Sequence, residues 1–252
     1  MRALTELEDV RLQSTIISDS GLAQLCGLKK LRSLNVNATV ITDAGLAHLP
    51  CFPHLRSLDL SWATITEAGL EHVKGLVELE HLDLQGCQIT DASLANLAEL
   101  RRLSFLNLMQ TEITDAGMEH LQGLTQLQEL YLWDTHVADS GLQRLKGLSQ
   151  LRALHLGGKQ ITDSGMVYVK GMVQLESLDL WGTSVGNGGL ARLDVLKKLQ
   201  FFNLSDTKVT DAGLEHLKGL SKLQYLYLNG TRVTHDGVKK LQQALPNCKI
   251  KR

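Results

Sequence analysis

The chain is poor in aromatic residues and poorer still in proline, with eleven Phe, Trp and Tyr and three Pro among 252 residues. Turns therefore fall to its 22 glycines. No excess of either charge is present: 26 Lys and Arg face 27 Asp and Glu, for a net charge of -1. That balance speaks against a nucleic-acid or membrane-surface protein, which needs a basic patch. No apolar run approaches the roughly 18 residues of a membrane span, and the opening MRALTELEDV lacks the apolar segment of a signal peptide. Cys26, Cys51, Cys87 and Cys248 are too few and too irregular for a disulfide framework or a zinc site. The expectation is a reducing cytoplasm, with neither metal nor cofactor, although a lost leader or a longer exported parent is compatible with it.

What the chain does have is a repeat. LRSLNV, LRSLDL, LEHLDL, LSFLNL, LQELYL, LRALHL, LESLDL, LQFFNL and LQYLYL begin at 31, 55, 79, 103, 127, 151, 175, 199 and 223, and a less regular LEDVRL begins at 7. Ten copies thus follow one another at a period of 24 without insertion, on the consensus LxxLxLxxTxITDAGLxxLxGLxx. Leucines at repeat positions 1, 4 and 6 have the alternation of a half-buried strand. Apolar residues at 16, 19 and 22 share one helical face. Thr or Ser at 12 and Asp at 13 read as an N-cap and a charge on the helix dipole. Glycine at 15, replaced only by Ser93, reads as room for close helix-to-sheet packing. Each copy is strand, turn, short helix, turn, and only stacking buries both apolar faces.

This pattern resembles the leucine-rich repeat family over nearly the whole chain, in the 24-residue bacterial form. It is also similar to the cysteine-containing subclass found behind F-boxes. Here Thr fills most of position 9 (Cys87 is the one Cys) and no F-box precedes the repeats, so a ubiquitin-ligase role is unsupported. The resemblance implies an α/β solenoid, a curved horseshoe with parallel strands on the concave side and short helices on the convex side. It is specific for fold and almost silent on function. The expected organisation is one domain over 1–252, closed by a C-terminal cap at about 239–252 with Cys248 and Ile250 inward. At the other end Leu4 falls where position 22 of a preceding copy belongs, which points to missing repeats or to an end covered by another chain.

Positions 3, 5, 7 and 8 are expected on the concave face, and eight of the eleven aromatic rings fall there. Trp62 and Phe105 lie in the early copies, while Tyr131, Trp133, Trp181, Phe201, Tyr225 and Tyr227 lie in the later ones. Exposed rings on a rigid sheet suit partner anchoring; the plainer reading is that they stack on one another across strands. Position 7 runs Met109, Trp133, Gly157, Trp181 through the middle copies. At roughly 4.8 Å between strands the two tryptophans stand about 10 Å apart with only Gly157 between them. Two facing rings need roughly 7 Å to hold a flat group. A ligand notch is one outcome, and collapse of both indoles over the glycine is the other. His155 and Asp179 occupy the neighbouring position-5 column, whose carboxylates favour a partner with basic and apolar groups.

Catalytic signals are weak. His48, His72, His120 and His216 share position 18 and read as repeat inheritance rather than metal ligands. No nucleophile motif accompanies the other histidines, so no catalytic residue is assigned. HLGGKQIT at 155–162 looks like a phosphate loop, but Ala153 and Gln160 stand where such a loop needs glycine and a hydroxyl. In the eighth copy SVGNGGLARL replaces the capping residues, which reads as drift or as local flexibility behind Trp181. The expected function is non-catalytic recognition of a protein or peptide on the concave face, without nucleic acid, membrane or cofactor. The alternatives are a carbohydrate or small-ligand receptor using the Trp133–Gly157–Trp181 notch, or a structural spacer in a larger assembly.

Overall fold

The computed structural model describes residues 5–252, so Leu4 lies outside the described residues. Two compact units make up the chain, Met1–Leu127 and Gln128–Arg252. In the first, β1 (Asp9–Arg11), β2 (Ser33–Asn35), β3 (Ser57–Asp59), β4 (His81–Asp83) and β5 (Phe105–Asn107) pair in parallel in sequence order. In the second, β6 (Glu129–Tyr131), β7 (Ala153–His155), β8 (Ser177–Asp179), β9 (Phe201–Asn203), β10 (Tyr225–Tyr227) and β11 (Lys249–Lys251) do the same. Leu34 opposes Leu58 and Leu58 opposes Leu82, so the register is the repeat period itself.

From the second copy onward the apolar residues at positions 1, 4 and 6 are buried, as in Leu55, Leu58 and Leu60, whereas in the first copy Leu7 is exposed and Val10 and Leu12 are half-buried. Behind each strand runs a short helix. The first unit has α1 (Asp19–Gln24), α2 (Asp43–Leu46), α3 (Glu67–Leu70) and α4 (Asp91–Leu94), with a 3₁₀ turn at Gly117–Leu121 in the fifth copy. The second has α5 (Asp139–Arg144), α6 (Met166–Val169), α7 (Asn187–Leu193), α8 (Asp211–Leu214) and α9 (His235–Ala244). In all ten copies position 8, three residues beyond the strand, is left-handed. Six of these are not glycine: Ser14, Ala38, Trp62, Gln110, Asp134 and Asp206, with φ between 51° and 60°. Position 8 is therefore a corner of the backbone.

The helix-start residues do more than cap. Asp19 accepts from the Thr42 amide (2.8 Å) and hydroxyl (2.8 Å) of the next copy. Asp43 does the same for Thr66, Asp91 for Thr114, Asp139 for Thr162 and Asp211 for Thr234. Position 13 thus bolts one copy to the next, beyond its expected dipole role. It also explains position 15, whose glycine was expected to serve helix-to-sheet packing. A Cβ on Gly45 would run into the Asp19 carboxylate, and one on Gly69 into that of Asp43. The exception obeys the same rule. Ahead of Ser93 the bolt residue is Glu67, and it is the Ser93 hydroxyl that accepts from the Thr90 amide (3.1 Å).

The eighth copy keeps its bolts despite its glycines. The Gly186 amide donates to Asp163 (2.6 Å), and Asn187 serves Thr210 through both its oxygen (3.0 Å) and its amide nitrogen (2.9 Å). Its helix has seven residues where most of the others have four, so nothing there supports a loosened segment. At position 9 the threonine hydroxyls donate to the position-6 carbonyl of their own copy, for example Thr39 to Val36 (2.7 Å) and Thr183 to Leu180 (2.8 Å). Cys87 fills the same buried place as expected of a small apolar side chain, and burial pushes its thiol up to about 12.

The cysteines hold one correction. Cys26 and Cys51 are disulfide-bonded, with Cα atoms 5.1 Å apart. They are 25 residues apart in sequence, one more than the period, and stacking brings such residues side by side. Pairing by fold rather than by local spacing is why the sequence pattern did not reveal the bond. At the other end Cys248 is buried, Ile250 is half-buried, and β11 closes the second unit's sheet. The first copy leaves an apolar recess of about 360 Å³, lined by Leu7, Val10, Leu12, Leu25 and Leu28.

Candidate recognition surface

The exposed sheet face is built from positions 3, 5 and 7, and position 5 has a structural duty. The Oδ1 atoms of Asp59, Asp83 and Asp179 accept the backbone N–H two residues on, at Ser61 (3.0 Å), Gln85 (3.0 Å) and Trp181 (2.8 Å). Their second oxygens accept from Asn35 (2.8 Å), Asn107 (3.1 Å) and Asn203 (3.1 Å) on adjacent strands. These carboxylates fix the turn into the left-handed corner, so Asp179 orients Trp181. Burial pushes the Asp83 carboxyl up, against the hydrogen bonds that favour its charged form.

In the first unit the expected aromatic residues are dispersed. Phe105 stacks on His81 with centroids 3.8 Å apart. Met109 is half-buried at position 7. Trp62 sits at a left-handed corner, 51% exposed, with its ring over Gly86.

In the second unit the rings gather. Tyr131 and His155 meet at 4.4 Å, and Phe201 and Tyr227 at 5.4 Å. Lys249 and Lys251 of β11 lie over Tyr225 and Tyr227 at 5.4 and 5.2 Å. These two lysines have no counterpart in the repeat pattern.

The tryptophan notch is shut. Trp133 and Trp181 stack on each other, with centroids 5.3 Å apart and planes 21° from parallel. Trp133 leans across Gly157, where a Cβ would stand 2.5 Å from its Cδ1. Trp181 is pinned from the other side, its indole N–H donating to Asp206 (2.7 Å). Strand spacing sets where the Cα atoms stand, but an indole over a glycine is free to lean, and stacking removes apolar ring from water. No flat group enters between these rings, which overturns the notch expectation. Lys159, which replaces the position-9 Thr, is exposed and donates to the Asp206 carbonyl (3.2 Å).

Burial pushes the His155 imidazole below its ordinary value, against the pull of Asp179 and Glu129. His48, His72, His120 and His216 are half-buried on the helix side, and among the described residues no group of three or more His, Cys, Asp or Glu is placed to hold a metal.

A family model described as leucine-rich repeat region matches residues 16–202, and a second, leucine rich repeat, matches 195–218. The chain belongs to the leucine-rich repeat family. No curated protein sequence matches it. Among solved structures it is similar to an internalin (inlF) of Listeria monocytogenes, with a TM-score of 0.72 and 22% identity over 98% of this chain and 74% of that one. It is also similar to internalin C2 of Listeria monocytogenes, with a TM-score of 0.65 and 25% identity over 86% and 84%. A leucine-rich repeat protein of Leptospira interrogans gives a TM-score of 0.70 and 20% identity over 99% and 67%. Their bacterial sources fit the bacterial form of the repeat. The leucine-rich repeat family suggests protein–protein recognition in general.

Proposed function

We propose that the exposed sheet face of the second unit is a non-catalytic recognition surface for a protein or peptide. The observation that carries this reading is the pinned tryptophan pair. Trp181 keeps 39% of its surface exposed while Trp133, Gly157, Asp179 and Asp206 fix its position. A large ring held in place before binding loses little entropy on contact, which is why such rings act as anchors. Tyr225, 37% exposed beside Lys249, extends the surface.

Trp181→Ala with Tyr225→Ala tests the reading by quantitative capture and cross-linking from bacterial lysate. The double variant should lose the cross-linked partner. Val77→Ala with Val173→Ala, exposed valines outside the strands, should retain it. Equal capture by both variants overturns the proposal. The cytoplasmic expectation loses its premise in the Cys26–Cys51 bond, because such bonds persist in oxidising compartments. We infer that the chain works where that bond stays oxidised. Alkylation of intact cells before lysis, followed by mass spectrometry, should find Cys26 and Cys51 unlabelled.

A further inference from the structure

One recess on this face is unaccounted for by the tryptophan pair. Along position 3 the second unit runs Glu129, Ala153, Ser177, Phe201, so two small side chains lie between two large ones. Adjacent parallel strands carry them, and the missing bulk leaves a hollow of about 480 Å³ over Ala153 and Ser177. The Tyr131 and His155 rings form one wall, and Phe201 closes an end. Arg152 and Glu176 form the opposite wall as a loose ion pair, Nε to Oε1 3.7 Å. Glu129 faces the hollow and accepts from the Tyr131 hydroxyl (2.7 Å).

The charges decide what fits. Two carboxylates, Glu129 and Glu176, face one guanidinium, Arg152. Burial pushes the His155 imidazole away from its charged form, so it does not offset the two carboxylates. The hollow is therefore net negative, with ring faces beside the carboxylates. A carboxylate accepts several hydrogen bonds, so Glu129 retains acceptor capacity beside the Tyr131 bond. Planar cations that pair with carboxylates in a fork and stack on aromatic faces are guanidinium groups. An ammonium ion matches the charge but not the planar fork, and an acidic side chain meets repulsion.

We propose that this hollow is a binding site for an arginine side chain presented by the partner, its guanidinium between the Phe201 ring and the Glu129 and Glu176 carboxylates. The proposal rests on the reading of this face as a recognition surface. It names the residue type that the partner brings.

N-acetyl-arginine N-methylamide is the probe, titrated into isotope-labelled protein and followed by amide chemical shifts. Saturable shifts should centre on Ala153, Ser177 and Phe201. The neutral citrulline analogue and N-acetyl-glutamate N-methylamide should bind on the order of tenfold more weakly or not at all, the scale of one lost charge-assisted hydrogen bond. Glu129→Gln with Glu176→Gln should weaken arginine binding by a similar factor. Arg152→Ala, which frees Glu176, should strengthen it. Ala153→Met should fill the hollow and abolish the shifts, with unchanged circular dichroism showing the variant folded. Equal binding of citrulline or glutamate, shifts centred elsewhere, or no saturable arginine binding overturns the proposal. Trp181→Ala with Tyr225→Ala leaves the hollow intact. Failure of the arginine probe with partner capture still dependent on Trp181 therefore refutes this site alone, and the converse refutes only the wider surface.

Discussion

At the scale of single residues, the smallest ones carry the most specific duties. Gly157 makes room for Trp133 to reach Trp181. Gly157→Ala should break the indole stack and flatten the near-ultraviolet circular dichroism, while the far-ultraviolet spectrum stays unchanged. Gly69 makes room for the Asp43 carboxylate, and Gly69→Ala should cost about 1–3 kcal/mol in urea unfolding, the usual penalty for forcing atoms into a packed site. The leucine, threonine and aspartate columns were legible because leucine fills position 1 in all ten copies, and threonine at position 9 and aspartate at position 13 in seven each. The closed tryptophan pair was only half legible. The sequence showed two indoles flanking a missing side chain, but not which way an unobstructed ring would lean.

At the scale of elements, strands and helices followed directly from the change of period within each copy. What local patterning could not supply was how copies are joined, because those bonds link residues 23 to 25 apart in sequence. The Cys26–Cys51 bond is one such joint. Closing a loop of this length removes unfolded-chain entropy worth about 3 kcal/mol. In an array where each copy leans on its neighbours, that loss should be local. Reduction should speed hydrogen exchange of the β1 and β2 amides and leave β9 and β10 unchanged, as read by mass spectrometry of peptic fragments. Uniform exchange in β1 and β2 before and after reduction would refute a stabilising joint.

For the whole molecule, the balance of titrating groups sets the response to acid. The Asp211 carboxyl is held below its ordinary value by the Thr234 hydrogen bonds, and the His155 imidazole is held below its own by burial. Both bind fewer protons in the folded chain than in the unfolded one, so stability is lost as pH falls. His155 begins the loss below its unfolded value of about 6.5, and Asp211 continues it through the carboxylate range. Asp83, pushed up by burial, works in the opposite direction and gains stability as it protonates. Urea midpoints should therefore decline from neutral pH downward, and His155→Gln should remove the part of the decline nearest neutrality. An unchanged profile in that variant would contradict the burial effect.

The pairing of Glu67 with Ser93 also bears on how such a chain can change by copying errors. The two residues are 26 positions apart, whereas one copy is 24 long. At the regular joints outside the disulfide-linked first two copies, a lost copy leaves each aspartate facing an equivalent glycine after the splice. Removing one copy's length here separates the two. Either Ser93 is left against the Asp43 carboxylate, or Glu67 is left before a copy whose threonine amide expects an aspartate. This irregularity therefore locks the local copy number: the array can lengthen or shorten by single copies at its regular joints, but not at this one.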